Sequence, residues 1–351
     1  MLRKIIKSCL TTTLLCSIAV PAYAASDWSF YGSSRVSTFQ ENLSKEQNSA
    51  TTGKASSNFA LDLQSNSRIG ANVKNGEFAG RFEYGSAPSL RLIYGTWETS
   101  AGTLLIGQSY TPANIGISNQ VYGGDNNITS AGVLDTGRDP MIQFSTKMGL
   151  TVAAVKPNRN DSANLGKTTS SLPAIEASYN FESGGFSAGI VIGTESLKSE
   201  SATTSVTQTA TVAGGHAQMK FGAARIALAF LSATNANNYG MSIEGGSADA
   251  TYDATTGNLT DATSTGFGLV GGSALSETMS IEAGYASLTN NSGVTGAKDD
   301  GTTIFYLQLP IKLASAVSVI PELGTYDYAK DSTDAKEGSK TYAGAKWMIN
   351  F

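Results

Sequence analysis

The chain has 351 residues, with 24 Lys and Arg against 28 Asp and Glu, a net charge of −4, one histidine and two cysteines. An acidic chain of this kind is a poor partner for nucleic acid, and none is expected. A mean hydropathy of −0.10, with 38 glycines and 8 prolines, speaks for short strands and turns and against a helical enzyme.

At the N-terminus Arg3, Lys4 and Lys7 precede an apolar stretch from Cys9 to Val20, and Ala22-Tyr23-Ala24 offers an A-x-A cleavage site. Residues 1–24 therefore read as a secretory signal peptide and 25–351 as the exported unit. The apolar stretch is too short to span a bilayer as a helix. Acylation at Cys16 is disfavoured, because Leu14-Leu15 lacks the small residues expected before a lipidated cysteine. Cys9 and Cys16 both fall in the segment to be removed, so disulfides, a thiol nucleophile and a cysteine metal site are all excluded. Removal also takes three cations and no acid, leaving 21 against 28, a net charge of −7.

Alternating segments then follow to the last residue. Strands are predicted near 27–39, 57–74, 77–86, 89–99, 102–110, 140–148, 149–157 and 172–183. The series continues near 185–195, 206–221, 222–234, 262–275, 277–289, 299–312, 315–328 and 338–351, sixteen in all. Short turns such as Asn75-Gly76, Ser100-Ala101-Gly102, Lys147-Met148-Gly149 and Ser183-Gly184-Gly185 carry hairpin chemistry. Longer polar links fall between them, near 40–56, 111–139, 158–171, 196–205, 235–261, 290–298 and 329–337. Short turns at one end and long loops at the other are the asymmetry of an outer-membrane barrel. An even strand number then puts both termini on the short-turn, periplasmic side.

The two faces of these strands differ. Asp62, Gln64, Asn66, Arg68, Gly70, Asn72 and Lys74 share one face; Leu61, Leu63, Ser65, Ser67, Ile69, Ala71 and Val73 share the other. Phe78, Phe82 and Tyr84 oppose Glu77, Arg81 and Glu83, and Ile175, Ala177, Tyr179 and Phe181 oppose Glu176, Asn180 and Glu182. In the last segment Phe351, Ile349, Trp347, Ala345 and Ala343 face away from Asn350, Met348, Lys346, Gly344 and Tyr342. Aiming the charged face at lipid would cost about 2–4 kcal/mol for each Arg or Lys near the midplane, so polar side chains are expected to line a lumen. The fold class predicted is all-β, a transmembrane antiparallel β-barrel of about 16 strands. A soluble β-sandwich or solenoid also alternates, but sandwiches rarely use so many strands in one domain.

Three motifs carry a family resemblance. Trp28-Ser-Phe-Tyr-Gly32 is similar to the opening strand of Gram-negative general porins. Gly107-Gln108-Ser109-Tyr110-Thr111-Pro112 looks like their strand before the third loop, and Tyr122-Gly123-Gly124-Asp125 resembles a Phe-Gly-Gly-Asp stretch within it. The resemblance runs over essentially the whole mature length. It implies a homotrimer in outer-membrane lipid and lipopolysaccharide, with no cofactor and with the third loop, here 111–139, folded inward to narrow the pore. It also implies that Phe351, with Trp347 four residues before it, is an assembly signal for the barrel-assembly machinery.

Arg35, Arg68 and Arg81 all fall on the expected lumen face and could form a basic ladder, with Asp125, Asp135 and Asp139 opposed to them. Such a constriction would set a transverse field on dipolar solutes. The competing readings are an outer, mobile third loop and arginines satisfied by local carboxylates such as Glu83. Two departures from the family stand out. Ile117, Ser118, Asn119, Gln120 and Val121 carry no charge where enterobacterial members place acids, so cation preference is not carried over. Gly85-Ser-Ala-Pro-Ser89 is very short where those relatives have a loop that reaches a neighbouring subunit.

The functional expectation is a passive, water-filled diffusion channel for small hydrophilic solutes and ions in the cell outer membrane. The alternatives are a substrate-selective channel, which would want an aromatic row along the lumen, and a non-pore adhesin or structural barrel working through loops such as 235–261. An outer-membrane hydrolase would need a base beside a nucleophile, and His216 is the sole histidine. Gly266-Phe-Gly268-Leu-Val-Gly271 matches a G-x-G-x-x-G pattern, yet sits inside an alternating segment with no helix after it, so close strand packing explains it better. Asp299 and Asp300 match no calcium-loop spacing, and no metal is expected.

Overall fold

The computed structural model describes residues 26–48, 53–87, 89–158, 160–246 and 248–351. The expected signal segment at 1–24 lies outside them. Sixteen barrel strands follow in chain order. They are β1 (Asp27–Leu43), β2 (Ser56–Leu63 and Arg68–Asn75, interrupted between), β3 (Phe78–Gly85), β4 (Leu90–Glu98), β5 (Gly102–Tyr110), β6 (Arg138–Thr146), β7 (Leu150–Val155) and β8 (Ala174–Ser183). The second half comprises β9 (Phe186–Glu200), β10 (Ser205–Phe221), β11 (Ala224–Thr234), β12 (Thr263–Ala274), β13 (Ser280–Asn291), β14 (Asp300–Gln308 with Ile311–Lys312), β15 (Val317–Lys330) and β16 (Lys336–Asn350).

Each strand pairs antiparallel with the next. Ser33–Leu43 of β1 then pairs with Lys340–Asn350 of β16 and closes the barrel. The terminal residue seals that seam: Phe351 N–H donates to the Gly32 carbonyl at 3.0 Å, and Gly32 N–H donates to the Phe351 carbonyl at 2.7 Å. Closure satisfies every strand edge, a condition for backbone inside a bilayer. No described helix is long and apolar enough to cross a membrane.

Some strands outrun their expected ends on the long-loop side, β1 to Leu43 and β9 to Glu200, while β7 stops short at Val155. The link expected at 196–205 is only a four-residue turn at 201–204, because β9 and β10 stay paired to Glu200 and Ser205. This extension is not bare. A short strand, Lys167–Thr169, pairs with Lys198–Glu200, and Leu197 and Ser199 are buried beneath the link that carries it. The link after β11 holds a small hairpin of its own, Thr251–Asp253 with Asn258–Thr260.

The outward face is apolar around the circumference. Phe30 is 74% exposed, Leu61 65%, Ile190 60% and Ile349 52%, and Ile142, Leu228 and Phe267 are exposed alike. Such a continuous band would be untenable in water but suits hydrocarbon. The inward face corrects one expectation. Polar side chains do not line the lumen evenly; from β9 to β14 much of the inward face is small or aliphatic, with Arg225, Glu282 and Gln308 set among it. Val191, Ala210, Val212, Ala227, Ala229, Leu231, Ala233, Val270, Ala286, Leu288 and Ile304 are all buried in a single cluster. They are dry because the third loop lies on them.

Candidate pore constriction

The third loop, 111–137, enters the barrel and presses its apolar residues onto that small-residue wall. Ala113, Ile115, Ile117, Val121, Ile128, Ala131, Val133 and Leu134 join the same cluster, each nearly or completely buried. The wall is thinned where the loop comes closest. A Cβ on Gly266 would stand 2.8 Å from the Gly132 Cα, and one on Gly268 would stand 2.9 Å from a Val133 methyl. The glycine run that mimics a nucleotide motif is thus a groove for the loop.

Three wall carboxylates then hold the loop by its backbone. Glu176 on β8 accepts Ala113 N–H at 2.8 Å. Glu282 on β13 accepts Asn119 N–H at 2.8 Å and its side-chain amide at 2.7 Å. Glu322 on β15 accepts Val121 N–H at 2.7 Å and Tyr122 N–H at 3.0 Å. In the other direction, Arg225 donates to the Ile117 carbonyl at 2.9 Å and Gln308 to the Asn119 carbonyl at 3.0 Å. Charge-assisted bonds of this kind are about twice as strong as neutral ones. The loop is a fixed part of the barrel.

Tyr122-Gly-Gly-Asp125 forms one helical turn whose backbone turns left-handed at Gly123 and Gly124, with φ of 68° and 75°. Glycine takes this conformation without steric cost. The turn aims Asp125 at the charged wall. Arg35 Nη1 stands 2.8 Å from one carboxylate oxygen of Asp125, and Lys346 Nζ stands 2.7 Å from the other. Asn66 adds a bond at 2.7 Å, reached from the interruption in β2. Tyr122 stacks on Tyr342 at 3.8 Å between ring centres and donates its hydroxyl to Glu41 at 2.6 Å. Ile128 keeps a left-handed φ of 54° although β-branched. Full burial and its N–H bond to Gln120 hold it there, against a strain on the order of 1–3 kcal/mol.

Around Glu83 the wall carries the rest of the charge. Glu83 is almost wholly buried and meets Arg91 Nε at 2.7 Å, Arg81 Nη2 at 3.0 Å and Arg68 Nη1 at 3.4 Å. Tyr31 donates its hydroxyl to Glu83 at 2.9 Å and accepts from Arg81 Nε at 2.9 Å. The strands β16, β1, β2, β3 and β4 are neighbours, so Lys346, Arg35, Arg68, Arg81 and Arg91 form one patch. Five cations face two carboxylates, Asp125 and Glu83, a net of three positive charges.

Of the residues named from the sequence, the structure gathers Arg35, Arg68, Arg81 and Asp125. It places the other two elsewhere. Asp135 accepts Gly137 N–H within its own loop and bridges to Asn114. Asp139 pairs in register with Ser109 on β5 and lines a separate cavity. Both sit at the returning stem of the loop, which enters the barrel away from β1–β4. Arg91 and Lys346 were missed as site residues. Lys346 could have been found, since it shares the wet face of the last strand. Arg91 could not, because a register shift beside Glu83 and Tyr84 moves it off the regular alternation. His216, paired with Gly189 and Ala229, leaves its Nδ1 buried and without a hydrogen-bond partner.

No protein-family model and no curated protein matches the chain. Solved structures do. The outer-membrane channel DcaP of Acinetobacter baumannii superposes with a TM-score of 0.72 at 15% identity, over 93% of this chain and 98% of that one. An anion-selective porin from Comamonas acidovorans gives 0.61 at 12% identity, over 93% and 100%. Salmonella typhi OmpF gives 0.60 at 11%, over 92% and 97%. The chain has the porin fold. Within that fold, the porin barrel here has one charged wall, one greasy wall, and a loop bonded between them.

Proposed function

We propose that this porin barrel is a passive, water-filled channel of the cell outer membrane that admits small hydrophilic solutes and prefers anions. The observation that carries the reading is the patch of Arg35, Arg68, Arg81, Arg91 and Lys346, whose ion-pair partners are Asp125 and Glu83. Excess positive charge at a constriction raises the local anion concentration and repels cations. One structural neighbour is described as an anion-selective porin; that likeness supports the fold, and this chain's own charges support the preference.

The aromatic cluster of Phe39, Tyr122, Tyr326, Tyr328 and Tyr342 favours no sugar-type selectivity, because the loop buries every member to 8% exposure or less. For a hydrolase reading, a base would have to stand beside a nucleophile; His216 Nδ1 is buried without a hydrogen-bond partner. We further infer export with removal of 1–24, insertion by the barrel-assembly machinery through Phe351 and Trp347, and a homotrimer amid lipopolysaccharide. The connection of β3 to β4 stays short, so subunit contact would rest on packed walls.

A planar-bilayer recording under a potassium chloride gradient tests the reading. The reversal potential is expected on the chloride side of zero. A potential on the potassium side would overturn the anion preference. Absence of conductance from folded protein would overturn the channel and leave the adhesin or structural barrel.

A further inference from the structure

A second group of charges lies apart from the arginine wall. Asp139 on β6, Lys156 and Asn158 after β7, Glu176 on β8, Glu195 on β9 and Tyr239 from the long link after β11 line a cavity of about 630 Å³. Three carboxylates meet one ammonium, so the cavity is negative where the constriction is positive. Glu176 is saturated: it accepts Ala113 N–H and the hydroxyls of Tyr239 and Thr136. Glu195 is not. One of its oxygens accepts Asn158 N–H at 2.9 Å. The other, Oε1, is buried with no hydrogen-bond partner, in a residue only 5% exposed. A buried carboxylate oxygen without a donor is unfavourable, and a ligand that brings a donor removes the penalty.

We propose that this cavity binds an organic cation through an ammonium or guanidinium group, with Glu195 Oε1 accepting its N–H and Asp139 supplying the second negative charge. The cavity is far larger than a bare ion, and the described acids offer no group of three placed to hold a metal. A multi-donor cation fits better. Glu195 is held for the purpose: Asn158 fixes it from the link, and Asn158 is itself tied to the Asn238 carbonyl at 3.1 Å. Lys156 opposes the guest. The inference does not rest on conduction, since binding can be read at equilibrium on the detergent-solubilised barrel.

The probe is agmatine, titrated calorimetrically into the purified full chain, with heat-modifiable electrophoretic mobility confirming the fold of each variant. Saturable binding is expected for the wild type, with none for uncharged butylurea. Glu195→Gln should weaken it by about tenfold, the worth of one charged hydrogen bond. Lys156→Gln should tighten it, and that variant carries the test if Glu195→Gln does not fold. The proposal fails if folded wild type shows no saturable heat. It fails equally if butylurea binds as well as agmatine, if Glu195→Gln binds unchanged, or if Lys156→Gln binds no tighter.

Discussion

The walls formed by β16 and β1–β4 and by β9–β14 obey the same two-residue period, yet their inward faces have opposite characters. On the first, the inward face is polar, and Arg35, Arg68, Arg81, Arg91 and Lys346 crowd around two carboxylates. On the second, much of the inward face is Ala, Gly, Val, Leu or Ile, with Arg225, Glu282 and Gln308 set among it as anchors, and the third loop covers it. The difference shows how a wide barrel is narrowed. A sixteen-stranded lumen is wide enough for an aqueous channel. Making one wall apolar gives the loop a surface to fold on, and the remaining space is left against the charged wall.

The largest effect should come from removing the charge on the first wall. Replacing Arg35, Arg68 and Arg81 together with Gln leaves Arg91 and Lys346 against Glu83 and Asp125, so the net of three positive charges falls to zero. The reversal potential should move toward the potassium side. An unchanged potential would show that these arginines do not set selectivity. The next effect concerns the second wall. Gly266→Val puts side-chain atoms where the Gly132 backbone now lies. Overpacking of that kind costs about 1–3 kcal/mol, and lifting the loop should relieve it. Single-channel conductance should rise and the loop should become open to protease. A conductance equal to wild type would mean that the loop does not limit flow.

Much of this was legible in the sequence, and the limits are physical. All sixteen strands were readable because lipid enforces alternation on the outer face whatever happens inside. Their ends were not, because β9 and β10 run on as a paired extension where no lipid imposes a pattern. The Ala227, Ala229, Leu231 and Ala233 face of β11 was visible as a segment apolar on both sides, the mark of a strand buried twice. Taken together with Gly266 and Gly268, it could have located the seat of the loop. The anchoring roles of Glu176, Glu282 and Glu322 could not be read. Their partners are backbone N–H groups, which every residue possesses and no side chain advertises. Asp135 and Asp139 were grouped with the arginines because they share the loop region, but nearness in sequence does not say on which side of the barrel a stem returns.

A smaller effect separates seating from filling. Glu322→Gln keeps the shape of the side chain but replaces one acceptor oxygen with an amide donor facing Val121 or Tyr122 N–H. Leaving one buried N–H unsatisfied costs about 1–3 kcal/mol. The greasy contacts remain, so the loop should stay seated while its amides exchange faster and the current grows noisier. If the loop comes away entirely, the carboxylates rather than the apolar wall hold it, and the account of the second wall must be reversed.

The smallest change bears on the first wall and on what its charges require. Tyr31→Phe removes the hydroxyl that joins Arg81 to Glu83 and leaves the charge count untouched. Each hydrogen bond of this kind contributes about 1 kcal/mol, or somewhat more to a charged partner, so thermal stability should fall slightly. The reversal potential should barely move, because Arg81 keeps its direct contact with Glu83 at 3.0 Å. Should the potential shift as far as in the triple arginine variant, then the arrangement of Arg81, and not the surplus of cations, governs which ions pass. The two walls would then differ in geometry more than in charge.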